Sequence, residues 1–285
     1  MIYIHNTNMI NSSVIKDNLR PIILIFDSGI GGISVYNEIK KQIPDLYYIY
    51  VFDNAGFPYG NKTKLFIIKR IINIIKKISS KYLVSLAVIA CNTASIIALV
   101  ELRKYYSFPI VGIVPAIKPS VKITKNGIIG LLATYNTISS KYIRQLILTF
   151  GENHKILTMT ASELVYIAES KFLGKKICLN KIHNVLQPWL KKSKIPDTII
   201  LGCTHFVLLR EELKQILPTN TFLIDSSLAI ACRVNYLLRN TQVKIGFLEN
   251  NIAFCTSINN TSMQLSLILK QYGFPILKII KLKIN

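Results

Sequence analysis

A chain of 285 residues, half of them hydrophobic, can bury a sizeable core in two domains or one large one, which excludes disorder as its overall state. Its formal charge of +21 is compatible with nucleic acid, anionic lipid or a small acidic substrate. The basic residues are spread thinly, with no run of five. The joint abundance of isoleucine, asparagine and lysine is also what an AT-rich genome produces, so nucleic-acid binding is not the expected function.

The first twenty residues mix His5, Asn6, Asn8, Asn11 and Asp17 with isolated apolar residues, and no continuous apolar stretch marks a secretion signal. Tyr82 to Val100 carries no charge and has the length of a membrane span. Ser85, Asn92, Thr93 and Ser95 interrupt it, and a buried strand running into a helix start explains it better. Five cysteines form no CxxC pair, so neither a zinc site nor a dithiol motif is expected, and no metal is implied. A reducing, cytoplasmic setting with free thiols follows as an expectation.

In chain order, Pro21 to Phe26 reads as a buried strand ending in Asp27-Ser28-Gly29, followed by a helix over Gly31 to Gln42. Tyr47 to Phe52 is a second strand, Leu65 to Ser79 an amphipathic helix, and Leu83 to Ala90 a third strand ending at Cys91. A helix from about Ala94 to Tyr105 and a strand over Ile110 to Val114 come next. The theme then repeats: a strand over Gly127 to Leu132, a helix from Ser139 to Phe150, a strand over Lys155 to Met159, and helices over Glu163 to Lys171 and Ile182 to Leu190. Thr198 to Leu201 and Phe222 to Ile224 are short strands, and Asn259 to Tyr272 a last helix before a basic, apolar tail. Alternation of strand and helix predicts an α/β protein with mostly parallel sheets covered by helices. LAVIACNTAS and DTIILGCTHF share one scheme, and FDSGIGG and LIDSSLA another, which suggests two similar domains with comparable sites at strand carboxyl ends.

The chemistry concentrates at those ends. Cys91 and Cys203 each sit past a buried strand and before a helix, where unpaired N–H groups and the helix dipole favour a thiolate. A buried cysteine is otherwise a small hydrophobe, which suffices for Cys178, Cys232 and Cys255. A pair of thiols, with an ordinary pKa of about 8.5, can act as one base and one acid and invert a carbon centre without a cofactor. Asp27 and Ser28 suit a helix cap, or a substrate ammonium, and the neighbouring glycines suggest a tight turn. Tyr59-Gly60 is a surface turn, or an exposed tyrosine covering a substrate. Asn92-Thr93 and Thr204-His205 follow the two cysteines at helix starts that suit a carboxylate. His205 either poises Cys203 or packs, and Thr134 and Thr137 stand at a further strand end.

The motifs FDSGIGG, DNAGFPYG, IACNTAS, LLAT, LGCTHF and LIDSSLAIA, in this order, resemble those of the glutamate racemase family, from Pro21 to the last helix. The resemblance implies two α/β domains with the site in the cleft between them, residues 21–114 with 226–285 in the first and 115–225 in the second. It implies cofactor-independent racemisation of glutamate, supplying D-glutamate for peptidoglycan, with Cys91 and Cys203 as opposite-face acid and base. Asp27, Ser28, Tyr59, Gly60, Asn92, Thr93, Thr204 and His205 match its substrate contacts. Asp27 and His205 match auxiliary groups beside the thiols, and Glu169 resembles a third, with Glu163 as the alternative. The extension over residues 1–20 and LQPWLKK resemble the branch activated by UDP-N-acetylmuramoyl-L-alanine. Either a monomer or a homodimer is compatible. An aspartate-type racemase and a basic nucleic-acid-binding protein are the competing readings, and the latter leaves both strand-end cysteines without a role.

Overall fold

The computed structural model describes residues 18–151 and 153–282. Most of the expected extension over residues 1–20 therefore lies outside the described residues. The first unit runs β1 (Ile22–Asp27), α1 (Ile33–Gln42), β2 (Tyr47–Phe52), α2 (Lys64–Ser79), β3 (Leu86–Ile89), α3 (Asn92–Tyr105) and β4 (Ile110–Gly112). The second runs α4 (Ile117–Ile123), β5 (Ile128–Ala133), α5 (Tyr135–Ile138), α6 (Lys141–Phe150), β6 (Lys155–Thr160), α7 (Ser162–Phe172), α8 (Leu179–Leu190), β7 (Thr198–Leu201), α9 (Thr204–Val207), α10 (Arg210–Ile216) and β8 (Phe222–Ile224). The chain closes with α11 (Ser227–Asn240), β9 (Ile252–Cys255), α12 (Ser262–Gln271) and β10 (Ile276–Ile279).

Two parallel sheets result, in the orders β10-β9-β2-β1-β3-β4 and β6-β5-β7-β8. Every residue of β1 and of β5 is buried, as expected of central strands covered on both faces. The helices cover these faces through regular apolar stripes: α2 buries Ile67, Ile71, Ile74, Ile75 and Ile78. Thr63 caps it, accepting from the Phe66 N–H at 3.3 Å, and Lys76 and Lys77 occupy its last turn, where the dipole favours them. The chain passes between the sheets twice, and the Ser226 hydroxyl donates to the Val114 carbonyl at 2.5 Å, tying the two crossings together.

Several boundaries differ from the sequence reading. The third strand begins at Leu86: at Ser85 the Ile22 N–H is taken by the side-chain hydroxyl at 2.7 Å rather than by a backbone carbonyl, while the Ser85 N–H donates to the Ile22 carbonyl at 2.9 Å. The helix expected from about Ser139 to Phe150 is α6, which starts at Lys141 because Ser140 caps it by accepting from the Ile143 N–H at 3.1 Å, and a short helix not expected from the sequence, α5, precedes it. The basic tail is a strand, β10, and β9 lies between it and β2, so the carboxyl-terminal segment extends the first sheet. In LQPWLKK, Trp189 is buried against Gly130 of β5, where a Cβ would stand 2.8 Å from its ring. The uncharged stretch Tyr82 to Val100 is β3 and the start of α3, and among the described residues no helix is long and apolar enough to cross a membrane.

Candidate active site

Cys91 follows β3 and is the N-cap residue of α3, with extended backbone (φ −82°, ψ 123°). Cys203 follows β7 and caps α9 in the same way (φ −144°, ψ 136°). They are 7% and 8% exposed. The equivalence has a limit: α9 is a single turn, so its dipole is small, and Cys203 has a side-chain neighbour instead. Its sulfur lies 3.8 Å from His205 Nδ1, whereas the Cys91 sulfur lies 3.7 Å from the Ser28 hydroxyl. Burial pushes the Cys91 thiol well up, and the charges of Asp27 and Cys203 push it further. The Ala94 N–H and Ser28 oppose them.

Asp27 ends β1, fully buried, and connects the two sides. Its Oδ1 accepts from the Gly29 N–H at 3.1 Å and the Ser28 hydroxyl at 3.2 Å, and its Oδ2 from the Thr204 hydroxyl at 2.9 Å. Burial raises its pKa, against the pull of His205. Glu169, on α7, accepts from the Ile30 N–H at 2.9 Å and meets His205 Nε2 at 2.7 Å. Burial works against a charged imidazole at His205, but the hydrogen bonds and charges of Cys203 and Glu169 outweigh it and hold the pKa well above the ordinary value. Glu163, the alternative, is exposed in the first turn of α7.

The opposite wall is neutral. Thr93 Oγ1 lies 2.9 Å from Thr134 Oγ1 and 3.3 Å from Thr137 Oγ1, and these two lie 3.2 Å apart. Beside them Asn92 Oδ1 is buried with no partner, an acceptor whose isolation is costly unless something binds there. The exposed tyrosine expected at position 59 is not exposed. Tyr59 is 1% accessible and its hydroxyl donates to Asp53 Oδ2 at 2.6 Å, because a buried carboxylate at the end of β2 needs donors. The turn Tyr59–Asn61 is gripped from the other sheet by Asn136, whose amide donates to the carbonyls of Tyr59 (3.0 Å) and Lys62 (2.9 Å).

The glycines of FDSGIGG make the tight turn expected of them, with the Ile33 N–H donating to the Ile30 carbonyl at 3.0 Å, and they also permit a close approach between loops. The positive-φ glycines are Gly127, Gly174 and Gly273, and none lies in this motif. A Cβ on Gly31 would stand 2.5 Å from Thr204 Oγ1 and 2.7 Å from the His205 nitrogen, and one on Gly29 2.3 Å from Glu169 Oε1. Likewise a Cβ on Gly60 would meet Thr134 at 2.9 Å. These three positions let the two sheets' loops approach closely enough to share one site. Sequence reasoning missed Arg70 and Asn136, which carry no motif signal. Asp53 had one: a lone carboxylate closing a buried strand, as Asp27 does. Among the described residues no group of three His, Cys, Asp or Glu side chains is arranged to hold a metal ion.

The sequence profile of the Asp/Glu/hydantoin racemases matches residues 23–233. A glutamate racemase of Erwinia tasmaniensis is 47% identical over 260 residues, covering 91% of this chain and 92% of that protein. One of Klebsiella pneumoniae is 48% identical over 259 residues, at the same coverage. Among solved structures, Escherichia coli glutamate racemase, in complex with L-glutamate and the activator UDP-MurNAc-Ala, superposes with a TM-score of 0.90 at 46% identity, over 92% of this chain and 98% of that one. The Francisella tularensis enzyme in complex with D-glutamate gives 0.71 at 26%, over 93% and 98%. With matched sequence across nearly its whole length and a shared two-sheet architecture, the chain belongs to the Asp/Glu/hydantoin racemase family, as an amino-acid racemase whose similar relatives are glutamate racemases.

Proposed function

We propose that the protein interconverts L- and D-glutamate by a two-base mechanism in which Cys91 and Cys203 face opposite sides of the substrate Cα. The observation that carries this reading is the repetition of one local arrangement, a buried cysteine between strand and helix, on two sheets whose loops interlock. Coupled charge supports it: a thiolate on Cys203 disfavours one on Cys91, so the pair suits one ionised partner at a time. A thiolate on Cys203 has the cationic His205 ring beside it, whereas one on Cys91 would face Asp27. In this scheme Cys203 takes the Cα proton of one enantiomer while the Cys91 thiol delivers its own to the opposite face. The reverse reaction exchanges the roles, with the Ala94 N–H and Ser28 receiving charge on Cys91. The hydroxyls of Thr93, Thr134 and Thr137 and the amide of Asn92 suit a substrate carboxylate, with Ser28, Gly60 and Thr204 completing the lining. Asp27 and Glu169 suit the ammonium and carry protons to and from the thiols.

Residues 21–114 with 226–285 are taken as one domain and 115–225 as the other, with substrate in the cleft. The relatives' bound L-glutamate, D-glutamate and UDP-MurNAc-Ala support glutamate as substrate, supply of D-glutamate to peptidoglycan in the cytoplasm, and activation by UDP-N-acetylmuramoyl-L-alanine. A rate that does not respond to that nucleotide removes the last element. The central test follows optical rotation and Cα-deuterium uptake from L-glutamate in deuterium oxide without added cofactor. Cys91→Ala and Cys203→Ala should each abolish racemisation. Parental turnover in either single variant would refute the mechanism.

A further inference from the structure

A buried ionic cluster beside the site has no part in the mechanism above. Asp53 stands at the end of β2, its N–H donating to the Asp27 carbonyl at 3.0 Å, and its carboxylate is fully buried. Arg70 of α2 clasps it with two bonds of 2.5 Å, from Nε to Oδ2 and from Nη2 to Oδ1. The Tyr59 hydroxyl donates to Oδ2 and the Thr256 hydroxyl to Oδ1, both at 2.6 Å, and the Gly56 N–H adds a bond of 3.3 Å. A Cβ on Gly56 would stand 2.7 Å from Arg70 Nε, so that glycine leaves the room the fork occupies. Thr256 follows β9, the strand supplied by the carboxyl-terminal return, and its hydroxyl also accepts the Ala55 N–H at 3.0 Å.

A buried ion pair adds little stability compared with apolar packing, so stability alone is a weak reason for this cluster. What it does supply is position. Tyr59 begins the turn Tyr59–Asn61, which packs against α3 and α5. Its ring shares a hydrophobic cluster with Cys91, and the Cys91 charge acts on its hydroxyl. The same turn carries Gly60 against Thr134 and is gripped from outside by Asn136.

We propose that Arg70 and Thr256 are positioning residues for racemisation, acting through Asp53 and Tyr59 to set the turn Tyr59–Asn61 against Cys91 and Thr134. Both stand outside the set of residues that contact the thiols. The proposal rests on the two-thiol reading for its catalytic consequence, but its geometric content is testable without turnover. Arg70→Lys keeps the charge and loses the planar fork, and Thr256→Val keeps the shape and loses the hydroxyl.

The experiment combines Arg70→Lys, Thr256→Val and Tyr59→Phe, singly and in pairs, and measures kcat and KM for L-glutamate. Alongside, iodoacetamide labelling of Cys91 and Cys203 in substrate-free enzyme is timed by peptide mass spectrometry. Displacement of the turn by a fraction of an ångström to 1 Å should lower kcat/KM about 10- to 100-fold in Arg70→Lys. The loss should be smaller in Thr256→Val, and the pair with Tyr59→Phe should be no worse than its more severe single variant. The labelling rate of Cys91 should change several-fold, with that of Cys203 unaltered. Additive losses, or both labelling rates moving together with the thermal midpoint, would overturn the proposal. Should Arg70→Lys fail to fold, the Thr256→Val pair carries the same test. Active Cys91→Ala enzyme would sink the two-thiol reading and leave the labelling asymmetry to be judged on its own.

Discussion

His205 is the residue whose charge most depends on its neighbours. Its folded pKa is raised well above 6.5, so its contribution to stability is complete below about pH 6.5 and is lost as pH rises through the folded value. Glu169→Gln removes the anion at 2.7 Å, so the ring should lose its proton at lower pH. The alkaline limb of kcat/KM and the alkaline fall of the thermal midpoint should both move to lower pH. Unmoved limbs would show that Glu169 does not set the imidazole charge. Asp27 titrates with the same sign. Its folded pKa is raised by burial, so stability falls as pH rises from about 3.8 toward that value, and Asp27→Asn should flatten that fall while reducing activity. Guanidinium-free melts between pH 4 and 9 read both effects.

Among the elements, the loop after β1 and the turn opening α9 meet at a distance only glycine permits. Gly31→Ala places a methyl 2.7 Å from the backbone nitrogen of His205, which no rotamer change can relieve. The expected cost is about 1–3 kcal/mol, as for overpacking generally, with a loss of activity because Thr204 and His205 must retreat from Asp27 and Cys203. Gly127→Ala is the contrast. That residue has φ +73° and nothing within 4 Å of a Cβ, so the change strains backbone alone. It should cost about 1–2 kcal/mol and leave kcat and KM unchanged. Equal catalytic losses in the two variants would remove close approach as the role of Gly31. The element the sequence hid most completely is β9: IAFC is four residues long, with no alternation and no motif, and its pairing with β2 on one side and β10 on the other makes it a strand.

Across the whole molecule, 35 basic residues against 14 acidic ones leave a large positive field, while several of the described carboxylates are spent on internal pairs such as Asp53 with Arg70 and Asp225 with Arg210. Such a field attracts any polyanion without a built site. Duplex DNA should therefore be retained weakly at physiological salt, with affinity falling steeply and log-linearly as salt rises. Tight, salt-resistant retention in a gel-shift titration would revive the nucleic-acid reading. Glutamate, the proposed substrate, would gain from the same field through a faster encounter rate, which added salt should slow.

The sequence by itself determined the two parallel sheets, the strand ends that carry Asp27, Cys91 and Cys203, and the polar residues that follow them. These are local properties: buried strands read as unbroken apolar runs, and a polar residue closing such a run announces a site. Only the tertiary structure decided which side chains share that site. It placed Glu169 against His205 and left Glu163 exposed, turned Tyr59 inward to Asp53, and gave the glycines of FDSGIGG a role in approach. The Glu169 and glycine outcomes depend on atoms more than a hundred residues away, and Tyr59 turns to a carboxylate that Arg70 of α2 also holds. Periodicity along the chain carries no information about such contacts.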